Sequence, residues 1–350
     1  MIRRTTDLSA AARARFDAII DVRSPCEFAH DHIPGAINLP VLDDVERAEI
    51  GTIYVQRSKF LARRLGAAKV ARNIAIHLDD ALADRDGSFR PLVHCWRGGQ
   101  RSGAMAAVMD QIGWPVTVLD GGYMTWRRRV QATLYGPAAW AVVLIDGGTG
   151  SGKTALLERL AARGVQTLDL EGLAEHRGSL FGALKDRPQP SQKLFESRLF
   201  TALEGLDPTR PVVVEAESSR IGARTVPPAL WAAMGAASVI ELSAPVEARA
   251  AFSALSYADI ASDAEALEAA LSRLPPHHSK ETVAAWKALA RAGQTQSLAS
   301  ALIADHYDPA YRRQSAHRAR PLLGRVEMAG LSDADLDRAA EAIAGLIKVD

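Results

Sequence analysis

Cysteine is nearly absent from this sequence: 350 residues hold two, Cys26 and Cys95. They form no Cys-x-x-Cys pair, which argues against a disulfide framework and against a structural zinc site. A reducing, cytoplasmic setting fits that usage. Net charge is also almost absent, at +1 from 42 Lys and Arg, set against 41 Asp and Glu. A nucleic-acid partner would therefore have to be held by a local basic patch, because the overall field supplies no attraction. No run approaches ~20 uninterrupted apolar residues, so no membrane span is expected. Met1 to Asp21 carries arginines without the long apolar core of a signal peptide. No internal repeat or low-complexity tract stands out. What remains is 48% hydrophobic and 24% charged residues, the composition of a globular protein long enough for two domains with separate cores.

The richest stretch is His94-Cys95-Trp96-Arg97-Gly98-Gly99-Gln100-Arg101-Ser102. Pro91-Leu92-Val93 reads as the end of a buried strand, and Ser102 to Gln111 has Ala, Met and Val at helical spacing. In such a strand–loop–helix turn the loop amides and the positive end of the helix converge on one anionic point. Arg97 and Arg101 add full charges beside it. That field favours a thiolate at Cys95 over a thiol. A cysteine serving only to pack the core would not require the flanking arginines and Gly-Gly.

Upstream, Ala18 to Arg23 reads as a short buried strand ending in charge, followed by a Ser24-Pro25 turn. Asp21-Val22-Arg23-Ser24-Pro25-x-Glu27-Phe28, then His32-Ile33-Pro34-Gly35-Ala36-Ile37-Asn38, the cysteine loop about sixty residues later, and Val118-Leu119-Asp120-Gly121-Gly122-Tyr123-x-x-Trp126 together resemble a rhodanese domain, from roughly Thr5 to Val130. The resemblance implies that Cys95 is the chalcogen-carrying cysteine and that Asp21 and Arg23 brace the first strand. It assigns no role to Cys26, a bystander near a turn or a resolving thiol. The Cys-x5-Arg spacing from Cys95 to Arg101, preceded by His94, also resembles cysteine-dependent phosphatases, and it suits a phosphorus-containing oxyanion. Between the two rhodanese halves Asp43 to Leu82 is helical in pattern, as an inserted cap or as ordinary crossover helices.

Tyr135-Gly136-Pro137 interrupts helical periodicity and sets an expected boundary, with a first domain over 1–134 and a second over 135–350. Trp140 to Ile145 is then an apolar strand. It runs into Asp146-Gly147-Gly148-Thr149-Gly150-Ser151-Gly152-Lys153-Thr154, after which Ala155 to Leu160 reads as helix. That is a complete G-x-x-x-x-G-K-[ST] phosphate loop in its strand-to-helix context. The glycines admit backbone amides to a di- or triphosphate, Lys153 neutralises charge, and Thr154 is the candidate magnesium ligand. No other metal ligand is expected with certainty, and no tightly bound cofactor.

Val212-Val213-Val214-Glu215 places an acid where phosphate-loop proteins keep a second metal-associated carboxylate. Glu215 and Glu217 are candidates for that place, or for ion pairs with Arg220 or Arg224. Loops that follow parallel strands line the ligand crevice of open α/β sheets, which adds Asp169, Arg177 and Arg220. From Pro245 the chain reads as largely helical. Within it Tyr307, Tyr311, Arg312 and Arg313 could stack on and neutralise RNA, or form an exposed helix end. His277-His278 reads as a solvated loop, since no carboxylate or cysteine accompanies it.

The expected fold is α/β: a rhodanese-like domain, then a P-loop NTPase-like domain with a helical C-terminal region. Cys-Trp-Arg-Gly-Gly-x-Arg-Ser in the first half and the phosphate loop in the second, with Asp169-Leu170-Glu171-Gly172-Leu173-Ala174-x-His176-Arg177-Gly178-Ser179, Pro190-Ser191-Gln192 and Glu217-Ser218-x-Arg220-Ile221-Gly222, resemble the tRNA 2-selenouridine synthase family essentially end to end. The resemblance implies a transferase acting on wobble 2-thiouridine, position 34 of tRNAs for Lys, Glu and Gln, at the anticodon loop. Sulfur is geranylated by geranyl diphosphate and then replaced with selenium from selenophosphate, Cys95 being transiently selanylated. Both diphosphate and selenophosphate are co-substrates, and an enzyme supplying selenophosphate is an implied partner. The alternative from the residues is a cysteine-dependent phosphatase or sulfurtransferase with a nucleotide-hydrolysing P-loop domain.

Overall fold

The computed structural model describes residues 1–347 except Ala139, Leu180, Lys185, Asp186, 259–263, Arg273, 275–277 and 316–319, and the side chains of Ala264, Ala266 and 313–315. The described chain divides into two compact units, one of 1–133 with 191–205, the other of 134–190 with 206–350.

The first unit is built on five parallel strands, β1 (Arg3–Thr5), β2 (Ala18–Asp21), β3 (Ile37–Asn38), β4 (Pro91–His94) and β5 (Thr117–Leu119), in the order β1-β5-β4-β2-β3. All four residues of β4 are buried, as expected for the middle strand of a parallel sheet covered on both faces. Its register sets Asp21 against His94, so the charged end of β2 lies beside the start of the cysteine loop. Val93, Cys95, Met105, Met109 and Val118 share one core. The helical stretch after β3 resolves into two helices, Asp44–Gln56 and Lys59–Asp79, broken where Ser58 caps the amide of Leu61. Not one residue of the first of these helices is buried.

A further helix of this unit, Gln192–Glu204, comes from far along the sequence. It packs on the helix Tyr123–Leu134. The indole of buried Trp126 donates to Ser197 Oγ at 3.0 Å, Arg127 pairs with Glu196, and Arg129 pairs with Glu204 at 2.7 Å. Such partners offset the desolvation cost of a buried guanidinium.

The second unit carries β6 (Val142–Gly147), β7 (Gln166–Leu168), β8 (Val212–Glu215), a small antiparallel pair β9 (Arg220–Ile221) and β10 (Arg224–Thr225), β11 (Ser238–Ser243) and β12 (Leu322–Glu327). Its main sheet is parallel, in the order β12-β11-β6-β8-β7. The helical C-terminal region is thus interrupted by one strand. β12 is an edge strand with only Val326 buried, so it lacks the alternation that would mark it in sequence. Phe181, Leu271, Trp286, Leu298 and Leu302 form a separate helical cluster in the same unit.

Candidate functional site

Cys95 follows β4 directly and is 3% exposed. The amide of Gly99, at the start of the helix Gln100–Ile112, donates to its Sγ at 3.2 Å, and the buried Ser102 hydroxyl donates at 3.3 Å. Burial pushes the thiol up, but those hydrogen bonds and the Arg101 charge outweigh it, and the Cys95 pKa falls below the ordinary 9.0. A helix N-terminus aimed at sulfur is a standard route to a thiolate. The loop is braced from behind, since the amides of Tyr123 and Met124 donate to the carbonyls of Cys95 and Trp96 at 2.8 and 3.2 Å. Gly98 has φ +66°, and a Cβ there would stand 2.8 Å from the Leu119 carbonyl. The Gly-Gly-Tyr segment therefore shapes the cysteine loop.

The two arginines differ. Arg97 is exposed at the rim. Arg101 reaches Glu27 at 2.7 Å, so its charge is partly spent inside the protein. Behind the loop, Arg23 grips Asp21 at 2.5 Å and the Asp31 carbonyl at 2.7 Å, and it lies 4.1 Å over the Tyr123 ring. His94 is fully buried, and burial lowers its pKa despite Asp21 at 3.8 Å. It is therefore a neutral framework group. Cys26 is exposed, and its thiol bonds to Asp44, which pushes its pKa up.

In the second unit the phosphate loop runs from β6 into the helix Lys153–Ala162. Gly150 has φ +80°, and a Cβ there would meet the Arg249 carbonyl at 2.7 Å. Lys153 Nζ donates to the Gly147 carbonyl at 3.0 Å, folding back over the loop. Buried Arg249 donates to the Thr149 carbonyl at 3.2 Å while Asp308 holds it at 2.7 Å, so the loop is supported from its far side. Thr149 also lines a pocket of about 80 Å³ with Phe181, Tyr257, Leu298, Leu302 and Tyr307. That wall is almost entirely apolar.

Opposite Lys153, the Thr154 hydroxyl donates to Glu215 Oε1 at 2.9 Å. Glu171, Glu215 and Glu217 bring carboxylate oxygens within 4.8 Å of one another. Glu215 Oε2 is buried without a hydrogen-bond partner. Burial and mutual repulsion raise the pKa of both Glu171 and Glu215, Lys153 opposing only in part. Stacked oxygens with an orphaned acceptor and the hydroxyl of Thr154 form a hard, all-oxygen donor set, which suits magnesium. Glu171 is the member that sequence reasoning passed over. It belongs to the quoted Asp-Leu-Glu-Gly segment, but nothing in its spacing sets it apart from Asp169.

Other residues singled out from sequence take varied places. Asp169 caps the helix Leu170–Ala174 by accepting from Gly172 N at 2.8 Å. Arg177 lies 5.0 Å over the Tyr257 ring. Arg220 is exposed on β9. Tyr307 packs against the helical cluster and lines the apolar cavity, where burial raises its pKa, while Arg312 is exposed. Tyr311 is half-buried. The side chain of Arg313 lies outside the described residues, as does His277. His278 bonds His306 at 2.9 Å and meets Trp286 edge to face.

Fold and sites define a rhodanese-like domain joined to a P-loop domain. The rhodanese-like domain profile matches residues 5–129, and the profile of the tRNA 2-selenouridine synthase AAA domain matches residues 140–335. The tRNA 2-selenouridine synthase of Cupriavidus pinatubonensis is 32% identical, over 92% of this chain and 95% of that protein. Those of Shewanella loihica and Nitrosomonas europaea are 38% and 35% identical, each over 66% of this chain, and over 62% and 61% of their own lengths. The chain belongs to the tRNA 2-selenouridine synthase family.

Proposed function

We propose that this protein is a transferase that converts wobble 2-thiouridine of tRNAs for Lys, Glu and Gln to 2-selenouridine through an S-geranyl intermediate. In the first step the 2-thio sulfur attacks C1 of geranyl diphosphate, the C1–O bond breaks, and pyrophosphate leaves. Lys153 and the amides of Gly147 to Thr154 hold the diphosphate and stabilise the leaving group. Magnesium bound by Thr154, Glu215 and Glu217, with Glu171 beside them, would neutralise part of that charge. Selenium from selenophosphate then displaces geranyl thiol from C2. The Cys95 thiolate attacks the phosphorus of selenophosphate, held by Arg97 and the loop amides, and the P–Se bond breaks; the hydroselenide released adds at C2 as the C2–S bond breaks, and water then frees phosphate from the cysteine.

The observation that carries the reading is that the phosphate loop and the apolar cavity share Thr149. A diphosphate seated on the loop has a small apolar pocket beside it, whose lining offers few groups to read a nucleobase. That favours a prenyl diphosphate over a nucleotide.

The test is mass spectrometry of nucleosides from 2-thiouridine tRNA incubated with geranyl diphosphate and selenophosphate. Wild type should yield 2-selenouridine, and Cys95→Ser should stop at the geranylated nucleoside. Unmodified tRNA with both proteins, together with turnover of a phosphate ester, would replace this reading with the phosphatase one.

A further inference from the structure

The helix Asp44–Gln56 buries none of its residues, although it carries Val45, Ile50, Ile53, Tyr54 and Val55. Val45 is 76% and Val55 82% exposed. Ordinary helices bury their apolar stripe, so this one has a face awaiting a partner. It forms one wall of a solvent-open groove of about 1170 Å³. The second helix of the insertion forms the other wall, and Gln100 and Arg101, at the start of the helix behind the Cys95 loop, form the floor. The groove therefore reaches the first turn of the helix that follows the nucleophile's loop.

Tyr54 and Arg63 line the groove, and the chain around them is basic and aromatic. From Arg57 to Arg64 the sequence has four cations, Arg57, Lys59, Arg63 and Arg64, and no carboxylate. All four are exposed, and none has a carboxylate partner among the described residues. Phe60 is 76% and Tyr54 43% exposed, and Lys59 Nζ stands 5.8 Å over the Tyr54 ring. The chain as a whole is nearly neutral, so this is the local patch that a polyanion would need. Aromatic rings between cations are the platform on which unstacked bases lie while phosphates are neutralised.

We propose that this groove seats the single-stranded loop of the RNA substrate, with a base stacked on Tyr54, phosphates on Arg57, Arg63 and Arg64, and the target nucleotide directed along Arg101 to Cys95. The inference rests on tRNA being the substrate. A bare lipid surface or protein partner would account for the apolar wall but not for unpaired cations beside a groove that ends next to the Cys95 loop.

The experiment uses the full chain and a fluorescent anticodon stem–loop carrying 4-thiouridine in the loop, read by anisotropy and by mapping of photo-crosslinks. Tyr54→Ala should weaken binding by ~tenfold, the worth of one base stack, while Tyr54→Phe keeps it. Arg63→Gln with Arg64→Gln should flatten the salt dependence by about one to two units of slope. Crosslinks should fall within 54–64. All of these side chains are exposed, so melting temperatures should not move. Variants that bind as wild type does, or crosslinks confined to 307–312, would overturn the assignment. So would a dimer in light scattering that Val55→Glu dissociates, which would make the face a self-association surface. If wild type binds no RNA at all, the tRNA reading fails together with the inference. If wild type binds and the hairpin variants are unaffected, only the inference fails.

Discussion

The Cys95 loop and the Gly147–Thr154 loop are the same turn, a buried parallel strand handing over to a helix N-terminus, yet their charges are organised in opposite ways. At Cys95 the anion belongs to the protein. The Gly99 amide and the Ser102 hydroxyl already point at Sγ, and Glu27 already takes part of the Arg101 charge. At the phosphate loop no carboxylate among the described residues pairs with Lys153. Lys153 makes do with a carbonyl, while the nearest carboxylates are crowded enough that burial and repulsion hold Glu171 and Glu215 toward their neutral forms. A loop that carries its own charge is balanced as it stands. One that waits for a ligand's charge is left unbalanced, with Lys153 only partly offsetting the crowded carboxylates.

The sharpest way to break this comparison is to remove the one full positive charge from the second loop. Lys153→Ala should slow geranylation by ~10²–10³-fold in kcat, the cost of losing a group aimed at developing charge. Selenium transfer to tRNA supplied already geranylated should proceed at the wild-type rate. Both are read by nucleoside mass spectrometry. Equal loss of both steps would mean that the loops do not divide the chemistry as their charges suggest.

Both loops were legible in the sequence because each is a local device, with the cysteine or lysine, its glycines and its helix start contiguous in the chain. The parallel α/β architecture was legible for the same reason, through apolar strands such as Val212–Glu215. What stayed hidden depends on residues distant in the chain. Glu171 acquires meaning only when β7 and β8 pair. The helix Gln192–Glu204 looks like any amphipathic crossover until Glu196 is seen to pair with Arg127. Tyr307 reads as a surface aromatic beside arginines, and packing alone turns it toward the apolar cavity. An edge strand such as β12, with one buried residue, has no pattern to read.

A smaller effect should come from the first loop's resident donor. Ser102→Ala removes a hydrogen bond to the Cys95 sulfur in a buried site, and such bonds to a charged acceptor are worth ~1.5–3 kcal/mol. The thiol pKa should climb back toward its ordinary value, and carboxymethylation of Cys95 at neutral pH should slow by about tenfold. The rate should catch up once the pH exceeds 9. An unchanged rate at pH 7 would mean that the Gly99 amide alone sets the thiolate.

The smallest effect, and the one that tests the second loop's imbalance, is on stability. Glu171 and Glu215 have pKa values raised above their unfolded ones. The folded protein therefore binds more protons than the unfolded chain, and stability must fall as pH rises from the ordinary carboxylate range through the raised values. A divalent cation bound by the cluster should oppose that fall, so millimolar magnesium should raise the melting temperature more at pH 8.5 than at pH 5.5. Glu215→Gln keeps an acceptor for the Thr154 hydroxyl but removes one of the crowded charges. It should flatten the pH slope and, without magnesium, raise the alkaline melting temperature by a few degrees, ~2–4 °C per kcal/mol for a unit of this size. The magnesium increment should shrink in the same variant. A variant as pH-sensitive as wild type would show that the carboxylates are already relieved by Lys153, and that the two loops are balanced alike.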